Sequence, residues 1–218
     1  MKRARSIPPR RAWVCTCTML ALGLTGCATL PASSSPPLAA LTKSAHQGNL
    51  IAADEYGNEL LAKARSTSSR LAAIQWIRKA AVGNLALAQD QLGNMYLHGK
   101  VVPQSTALAL KWTERSADRG APAAQLQLAG LYRAGVLVPV NLEKTYYWYL
   151  IASEGRDGDV HILNIEAVKA SARKDAQRMS LMLAPAQRAA VKARVAAWKP
   201  LPSVPYVSVV NHLATIAQ

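Results

Sequence analysis

The sequence predicts an all-α fold, an α-solenoid of stacked helix-turn-helix units. Three observations lead to this prediction. Ala and Leu dominate a chain of 218 residues, half of them hydrophobic and none of them Phe, and both are strong helix formers. Residues 40–155 carry a pattern that recurs every 36 residues. Within each recurrence, apolar residues return at the spacing of one face of an α-helix.

The first 26 residues are typical of an export signal, which is absent from the mature protein. Residues 1–11 are basic and contain no acid, and residues 12–26 form an uncharged, largely apolar run. That run is shorter than the about 20 apolar residues that a membrane-spanning helix needs. We therefore assign residues 1–26 to a signal peptide.

The end of this run is more specific, because Leu24, Thr25, Gly26 and Cys27 follow one another there. They resemble the bacterial lipobox, in which an aliphatic residue and two small residues precede a Cys. The resemblance implies attachment of diacylglycerol to the Cys27 sulfur, cleavage after Gly26, and acylation of the new amine by a chain such as palmitate. An ordinary secretion signal with a chance Cys is the alternative.

The other two cysteines, Cys15 and Cys17, lie inside the signal and are expected to be removed with it. Cys27 would then stand alone, so no disulfide framework is expected. Ala28 follows Cys27. By its resemblance to the bacterial sorting rule, a residue other than Asp there implies the outer membrane of a Gram-negative cell, on the periplasmic side.

Residues 27–39 are rich in Pro and Ser and are predicted to be a tether. At about 3.1 Å per residue in an extended conformation, such a tether reaches roughly 30 Å from the membrane.

The 36-residue recurrence of residues 40–155 involves the largest side chains and the smallest ones. It relates Trp76 to Trp112 and Trp148, Ala52 to Ala88 and Ala124, Leu92 to Leu128, Tyr96 to Tyr132, Gly99 to Gly135, and Pro103 to Pro139. Gly99 and Gly135 fall where a first helix needs a left-handed C-cap, and Ser105 and Asn141 fall where a second helix needs an N-cap. A repeat of this length indicates stacked helix pairs, which bury faces that one pair alone leaves open.

These residues resemble the Sel1-like repeat, a relative of the tetratricopeptide repeat. The match runs through Ala88, residues 92–96, Gly99, Ala109, Trp112, Ala117 and Gly120, and again through Ala124, Leu128, Leu131, Tyr132, Gly135, Trp148 and Ala152. Ala129 stands where the family has Gly. We assign one degenerate repeat to 40–75 and two further repeats to 76–111 and 112–147, with the last helix reaching 155.

Residues 156–199 contain two more helical patterns, near 160–182 and 186–199, which we expect to cap the open end of the stack. Residues 200–218 carry no charge and are rich in apolar residues. This tail is expected to dock either on the solenoid or on a partner.

Catalytic and metal-binding patterns are hard to find. The sequence lacks G-x-S-x-G, H-E-x-x-H, Walker A and G-x-G-x-x-G, and none of its four His has a second His or a Cys at ligand spacing. We therefore expect no enzyme activity, no metal and no cofactor. Asp54 and Asp90 are 36 residues apart and are expected to be solvated helix positions. Glu114 and Asp118, one turn apart, indicate an exposed face rather than an acid/base pair.

Candidate contact residues are Tyr147 and four bases. Three residues of the run 146–149 can be buried at helical spacing, so the fourth, which we take to be Tyr147, should face outward and could contact a partner. The basic segment after residue 160 includes Lys169, Arg173, Lys174 and Arg178. It is either a solvated face or a surface that attracts an anionic partner. Nucleic acid is not expected, because the chain is exported and has no basic-aromatic binding motif.

Together these observations predict a lipid-anchored cell-envelope repeat protein that acts as a protein–protein interaction scaffold or adaptor. The Sel1-like resemblance implies secretion-system, regulatory or toxin-neutralising roles. One alternative is a module that binds peptidoglycan or another anionic envelope polymer. The other alternative is an enzyme, since Cys-rich relatives of this repeat have been linked to β-lactam hydrolysis or binding, but the paired Cys of that branch are missing.

Overall fold

A computed structural model describes residues 38–155 and 165–204, all of which lie in one compact unit, Ser35–Gln218. In these two ranges the chain forms nine α-helices and no strand. The helices are α1 (Leu38–His46), α2 (Leu50–Lys63), α3 (Thr67–Val82), α4 (Ala86–His98), α5 (Thr106–Asp118), α6 (Pro122–Ala134), α7 (Leu142–Glu154), α8 (Ile165–Ser180) and α9 (Pro185–Ala197). The predicted all-α class is confirmed. None of these helices is long and apolar enough to traverse a bilayer.

The helices pack in sequence order, as expected for a solenoid. α2 with α3, α4 with α5, and α6 with α7 form helix pairs, and each pair packs on the next through α3 with α4 and α5 with α6. α1 packs on α2 in the place of the second helix of a preceding pair. At the other end, α8 and α9 both pack on α7. The α-solenoid prediction is therefore confirmed.

Because neighbouring helices are antiparallel, the stack has two edges. We call the first the loop edge; it carries the loops within pairs at 64–66, 99–105 and 135–141, and the α8–α9 loop at 181–184. We call the second the turn edge; it carries the short turns between pairs at 47–49, 83–85 and 119–121. Gly48, Asn84 and Gly120 recur at the turn edge with positive φ, which reverses the chain within three residues.

The predicted caps are present at the loop edge. Gly99 and Gly135 end α4 and α6 in the left-handed conformation, and each amide donates to a carbonyl four residues earlier. The side chains of Ser105 and Asn141 accept a hydrogen bond from the third backbone amide that follows them. These four residues fix where each helix pair turns.

The recurring residues form the core. Leu92, Leu128, Ala88 and Ala124 are fully buried, and Trp112 and Trp148 are buried in the two hydrophobic clusters of the stack. Trp76, the first indole of the series, is only half-buried. It packs edge-on against His46 and Tyr56, under the Lys79 ammonium.

The C-terminal segment docks on the solenoid as far as it is described. The Leu201 amide donates to the Asp118 carbonyl at 2.7 Å, and the Ser203 hydroxyl donates to the Asn84 carbonyl at 3.2 Å. Residues 201–204 therefore cross the turn edge from the α5–α6 turn to the α3–α4 turn.

Helices within a pair approach most closely at glycine. A Cβ at Gly57 would lie 2.7 Å from Ile77 Cγ1 and 3.0 Å from the Ala73 carbonyl oxygen. Gly130 is also helical but lies one residue beyond the equivalent position, which Ala129 occupies, and a Cβ at Gly130 would meet nothing within 4 Å. The recurring Gly57 and Gly93 thus mark where two helix backbones nearly touch, whereas Gly130 has no such role.

We expect Gly57→Ala to lower the free energy of unfolding by about 1–3 kcal/mol, because α2 and α3 must move apart. Gly130→Ala should raise it by up to about 1 kcal/mol, because Ala favours the helix and meets nothing. Urea unfolding of residues 28–218, which retain the whole compact unit, measures both. Equal effects of the two substitutions would contradict the assigned close approach.

Candidate partner-binding site

A cavity of about 190 Å³ opens between α5, α6, α7 and α9. It is lined by Glu114, Asp118, Tyr132, Lys144, Tyr147, Trp148 and Arg194. Two carboxylates from α5, two cations from α7 and α9, and three aromatic rings therefore line one cavity. Aromatic residues and Arg are the types most often found to dominate binding energy in protein interfaces.

Tyr132 organises one side of the cavity. Its hydroxyl donates to Glu114 Oε1 at 3.3 Å and accepts from Lys144 Nζ at 3.1 Å, and that ammonium lies 4.5 Å from the centre of the ring. In the preceding repeat, Tyr96 instead accepts from Arg78, which is 36 residues before Glu114. One position of the repeat therefore carries opposite charges in successive units, while the tyrosine that it contacts stays the same.

Tyr147 lies on the other side of the cavity. Its ring packs edge-on against Trp148 at 5.1 Å between centroids, and the Arg194 guanidinium lies 4.7 Å from its centre. Burial raises the pKa of its phenol, although Arg194 opposes this. Tyr147 is the most accessible residue of the run 146–149, as predicted, but it is half-buried rather than exposed because α9 covers it.

The expectation that Glu114 and Asp118 lie on an exposed face is wrong. Both are half-buried and line the cavity. Burial, and then the nearby Glu114 carboxylate, raise the pKa of Asp118, whereas Arg119 lowers it.

The predicted basic residues lie elsewhere, on α8. Lys169 is mostly buried, with its ammonium 3.3 Å from Glu166 Oε1, and Arg178 is paired with Asp175 at 3.4 Å. Arg173 and Lys174 are exposed. None of these four bases lines the cavity that contains Tyr147.

The lipobox residues Leu24, Thr25, Gly26 and Cys27 fall outside the described ranges. No group of three potential metal ligands occurs within those ranges.

One spacing that suggests nucleophilic chemistry is present on α8. Ser171 and Lys174 have the Ser-x-x-Lys separation found in β-lactam-binding enzymes. Both are exposed, and Ser171 lies in the middle of Ile165–Ser180, where the helix uses its own backbone amides. No free amides stand beside the hydroxyl to stabilise an oxyanion, so we assign it no catalytic role.

The expectation that Asp54 and Asp90 are solvated is also wrong. Asp54 is 1% exposed and Asp90 is half-buried, and the Oδ1 atom of each has no hydrogen-bond partner among the described residues. Burial raises the pKa of Asp54 to about 7, helped by Glu55 and opposed by Asn58, and raises that of Asp90 to about 6. The sequence contained one indication of this burial. Each Asp lies three residues before Gly57 or Gly93, on the face that packs against the other helix of its pair.

The packed pairs and the binding cavity define a helical-repeat solenoid protein. The Sel1 repeat model matches residues 67–81, 86–120 and 122–157. Sel1 repeats generally mediate protein–protein interaction and form a non-enzymatic scaffold.

Two solved structures are similar to this chain. A protective antigen of uropathogenic Escherichia coli strains, displaying an SLR fold, is 23% identical with a TM-score of 0.56, over 78% of this chain and 37% of its own. A Sel1 repeat protein from Oxalobacter formigenes is 30% identical with a TM-score of 0.48, over 53% of this chain and 35% of its own. The chain thus spans about a third of the length of these proteins. No curated protein matches it.

The buried carboxylates predict a pH-dependent stability. The folded-state pKa of Asp54, about 7, lies above its ordinary value of 3.8, so its stabilising contribution is complete below about pH 4 and is lost as the pH rises through about 7. Residues 28–218 should therefore be more stable at pH 5 than at pH 8. Asp54→Asn should reduce this difference and raise the free energy of unfolding at pH 8 by at least about 1 kcal/mol.

The matched control is Glu166→Gln, which neutralises a carboxylate whose side chain is 81% exposed. It should leave the pH dependence of urea unfolding unchanged. Because the raised pKa of Asp90, about 6, contributes in the same pH range, part of the slope should remain in Asp54→Asn. An undiminished slope would mean that Asp54 is not one of its sources.

Proposed function

We propose that this protein is a lipid-anchored adaptor of a Gram-negative cell envelope. It binds a segment of a partner protein at the cavity between α5, α6, α7 and α9. The anchor would be the lipidated Cys27, in the outer membrane and facing the periplasm. Secretion-system, regulatory and toxin-neutralising roles are all compatible with such an adaptor.

Lipid anchoring is supported by the sequence from Leu24 to Cys27 and by the basic and apolar segments before it. One diacylglycerol with one amide-linked chain would supply enough lipid for stable anchoring. Ala28 at the second mature position supports the outer membrane.

Partner binding is supported by one observation above all, the presence of both signs of charge beside aromatic rings in the cavity. Its lining includes Glu114, Asp118, Lys144, Arg194 and Tyr147. A partner segment that presents a base beside an acid or an aromatic ring would complement these groups. Tyr and Arg are the residues most often found to dominate binding energy in protein interfaces.

A second candidate partner is an anionic envelope polymer such as peptidoglycan. It is favoured by the adjacent, exposed side chains of Arg173 and Lys174 on α8. These residues lie outside the cavity, so the two candidates are separable by mutation.

Cys27→Ala is expected to abolish incorporation of an alkyne-palmitate analogue into the protein in cells, because no thiol then remains in the mature chain. Cys17→Ala is the matched control and should label like the natural chain, since this Cys is expected to leave with the signal. Undiminished labelling of Cys27→Ala would disprove the lipid anchor.

For the cavity, we expect a photoreactive amino acid at position 147 to cross-link a protein partner in intact cells. Tyr147→Ala and Lys144→Glu should each weaken the binding of that purified partner about tenfold or more. The control is Lys43→Glu, at an exposed position of α1, which should leave binding unchanged. Circular dichroism confirms that each variant is folded.

Two results would contradict this assignment. The first is unchanged affinity in both cavity variants. The second is salt-resistant pelleting with purified peptidoglycan that is lost in Arg173→Gln/Lys174→Gln but kept in Tyr147→Ala, which would favour the polymer.

A further inference from the structure

Exposed apolar side chains are unevenly distributed over the stack. Among the described residues, nine large hydrophobic side chains are exposed, and seven of these belong to the loop edge or the helix turn beside it. The seven are Leu38, Leu71, Leu108, Val136, Val140, Leu181 and Met182. The other two, Val82 and Leu201, lie on the turn edge.

The most exposed of the seven come from two loops that lie side by side. Val136 is 82% exposed in the α6–α7 loop, and Leu181 is 80% exposed in the α8–α9 loop. The Gln187 amide donates to Glu143 Oε1 at 2.9 Å, so the beginning of α9 lies next to the beginning of α7. The loops that lead into these two helices therefore present their aliphatic tips at the same part of the loop edge.

The loop edge is also strongly basic. We count its four loops together with the four helical residues on either side of each, which are residues 60–70, 95–109, 131–145 and 177–188. These segments contain eight bases and one acid, Glu143. Two of the bases, Lys63 and Arg178, pair with Glu59 and Asp175 just outside the segments, so the net charge with these two acids included is +5. The bases are Lys63, Arg65, Arg70, Lys100, Arg133, Lys144, Arg178 and Arg188.

Aliphatic tips surrounded by bases match the chemistry of an anionic bilayer surface. Apolar side chains can enter the boundary between headgroups and acyl chains, while nearby Lys and Arg are attracted by anionic lipid. The core of a protein–protein interface is instead depleted of charge. The tips are also spread along several loops rather than gathered into one large patch.

The start of the described chain points to the same surface. α1 packs antiparallel on α2, whose last residue lies at the loop edge, so Leu38 begins α1 at that edge. Only ten residues lie between Cys27 and Leu38, so the eleven steps along the chain reach roughly 35 Å at about 3.1 Å per residue. A membrane anchor at Cys27 would therefore hold the loop edge close to the bilayer.

We propose that the loop edge rests directly on an anionic phospholipid surface, with Val136, Val140, Leu181 and Met182 inserted and the bases contacting phosphates. This contact goes beyond the proposed adaptor function and needs no lipid on Cys27.

The test uses residues 28–218, which lack the signal and Cys27 but keep the whole compact unit. The protein should sediment with vesicles of phosphatidylglycerol and phosphatidylethanolamine, and much less with phosphatidylcholine vesicles. Val136→Ser/Leu181→Ser should lower the partition coefficient about fivefold or more, because two inserted side chains are lost. Val82→Ser/Leu201→Ser makes the same chemical change on the turn edge and should leave partition unchanged.

Three results would overturn the proposal: no sedimentation with the anionic vesicles at low salt, equal losses in the two double variants, or unchanged partition in Val136→Ser/Leu181→Ser. If that variant keeps its partition but changes the oligomeric state in size-exclusion chromatography, the loop edge is a protein interface instead. The adaptor function is judged separately, since labelling of Cys27 and binding at Tyr147 do not involve these vesicles.

Discussion

The structure depends on one constraint, the burial of equivalent side chains at each step of the stack. Leu92 and Leu128 are fully buried at the same phase, as are Ala88 and Ala124, and Trp112 and Trp148 fill equivalent spaces between layers. A helix pair offers an apolar face on both sides, so it is stable only when a neighbour covers each face. The ends of the stack must therefore differ from its middle. α1 covers the first side, where Trp76 remains half-buried, and α8 and α9 cover the last.

Regular burial explains why so much of the fold could be predicted. Gly99, Ser105, Gly135 and Asn141 act locally, on backbone groups within a few residues, so their roles follow from position in the chain. The cavity could not be predicted in this way. It requires Arg194 of α9 to reach Tyr147 of α7, and nothing in the spacing of these two residues indicates that contact. Glu114 and Asp118 were misassigned for a similar reason, since they line a cavity together with residues of α6, α7 and α9.

Asp54 and Asp90 were misassigned for a different reason. A carboxylate in a helix is usually solvated, because desolvating its charge costs more than the helix gains. Here the repeat places both on the face that carries the close-contact glycines, and within the part of the chain that the structure describes their carboxylates accept hydrogen bonds from Asn58 and Asn94, on the same helices. The raised pKa values show that the neutral acid suits these positions better. These residues lower stability near neutral pH, which the stack tolerates because its apolar frame is so regular.

Because the core residues recur in each repeat, the residues on the remaining surface can differ between repeats. Arg78 and Glu114 occupy one phase of the repeat with opposite charges, yet each contacts the hydroxyl of the recurring tyrosine. In the last pair, Lys144 adds a cation on that tyrosine, and α9 adds Arg194 to the lining of the cavity. The cavity therefore combines groups of the repeats with a group of the capping helices. The proposed binding site thus depends on the end of the stack as well as on the repeated unit.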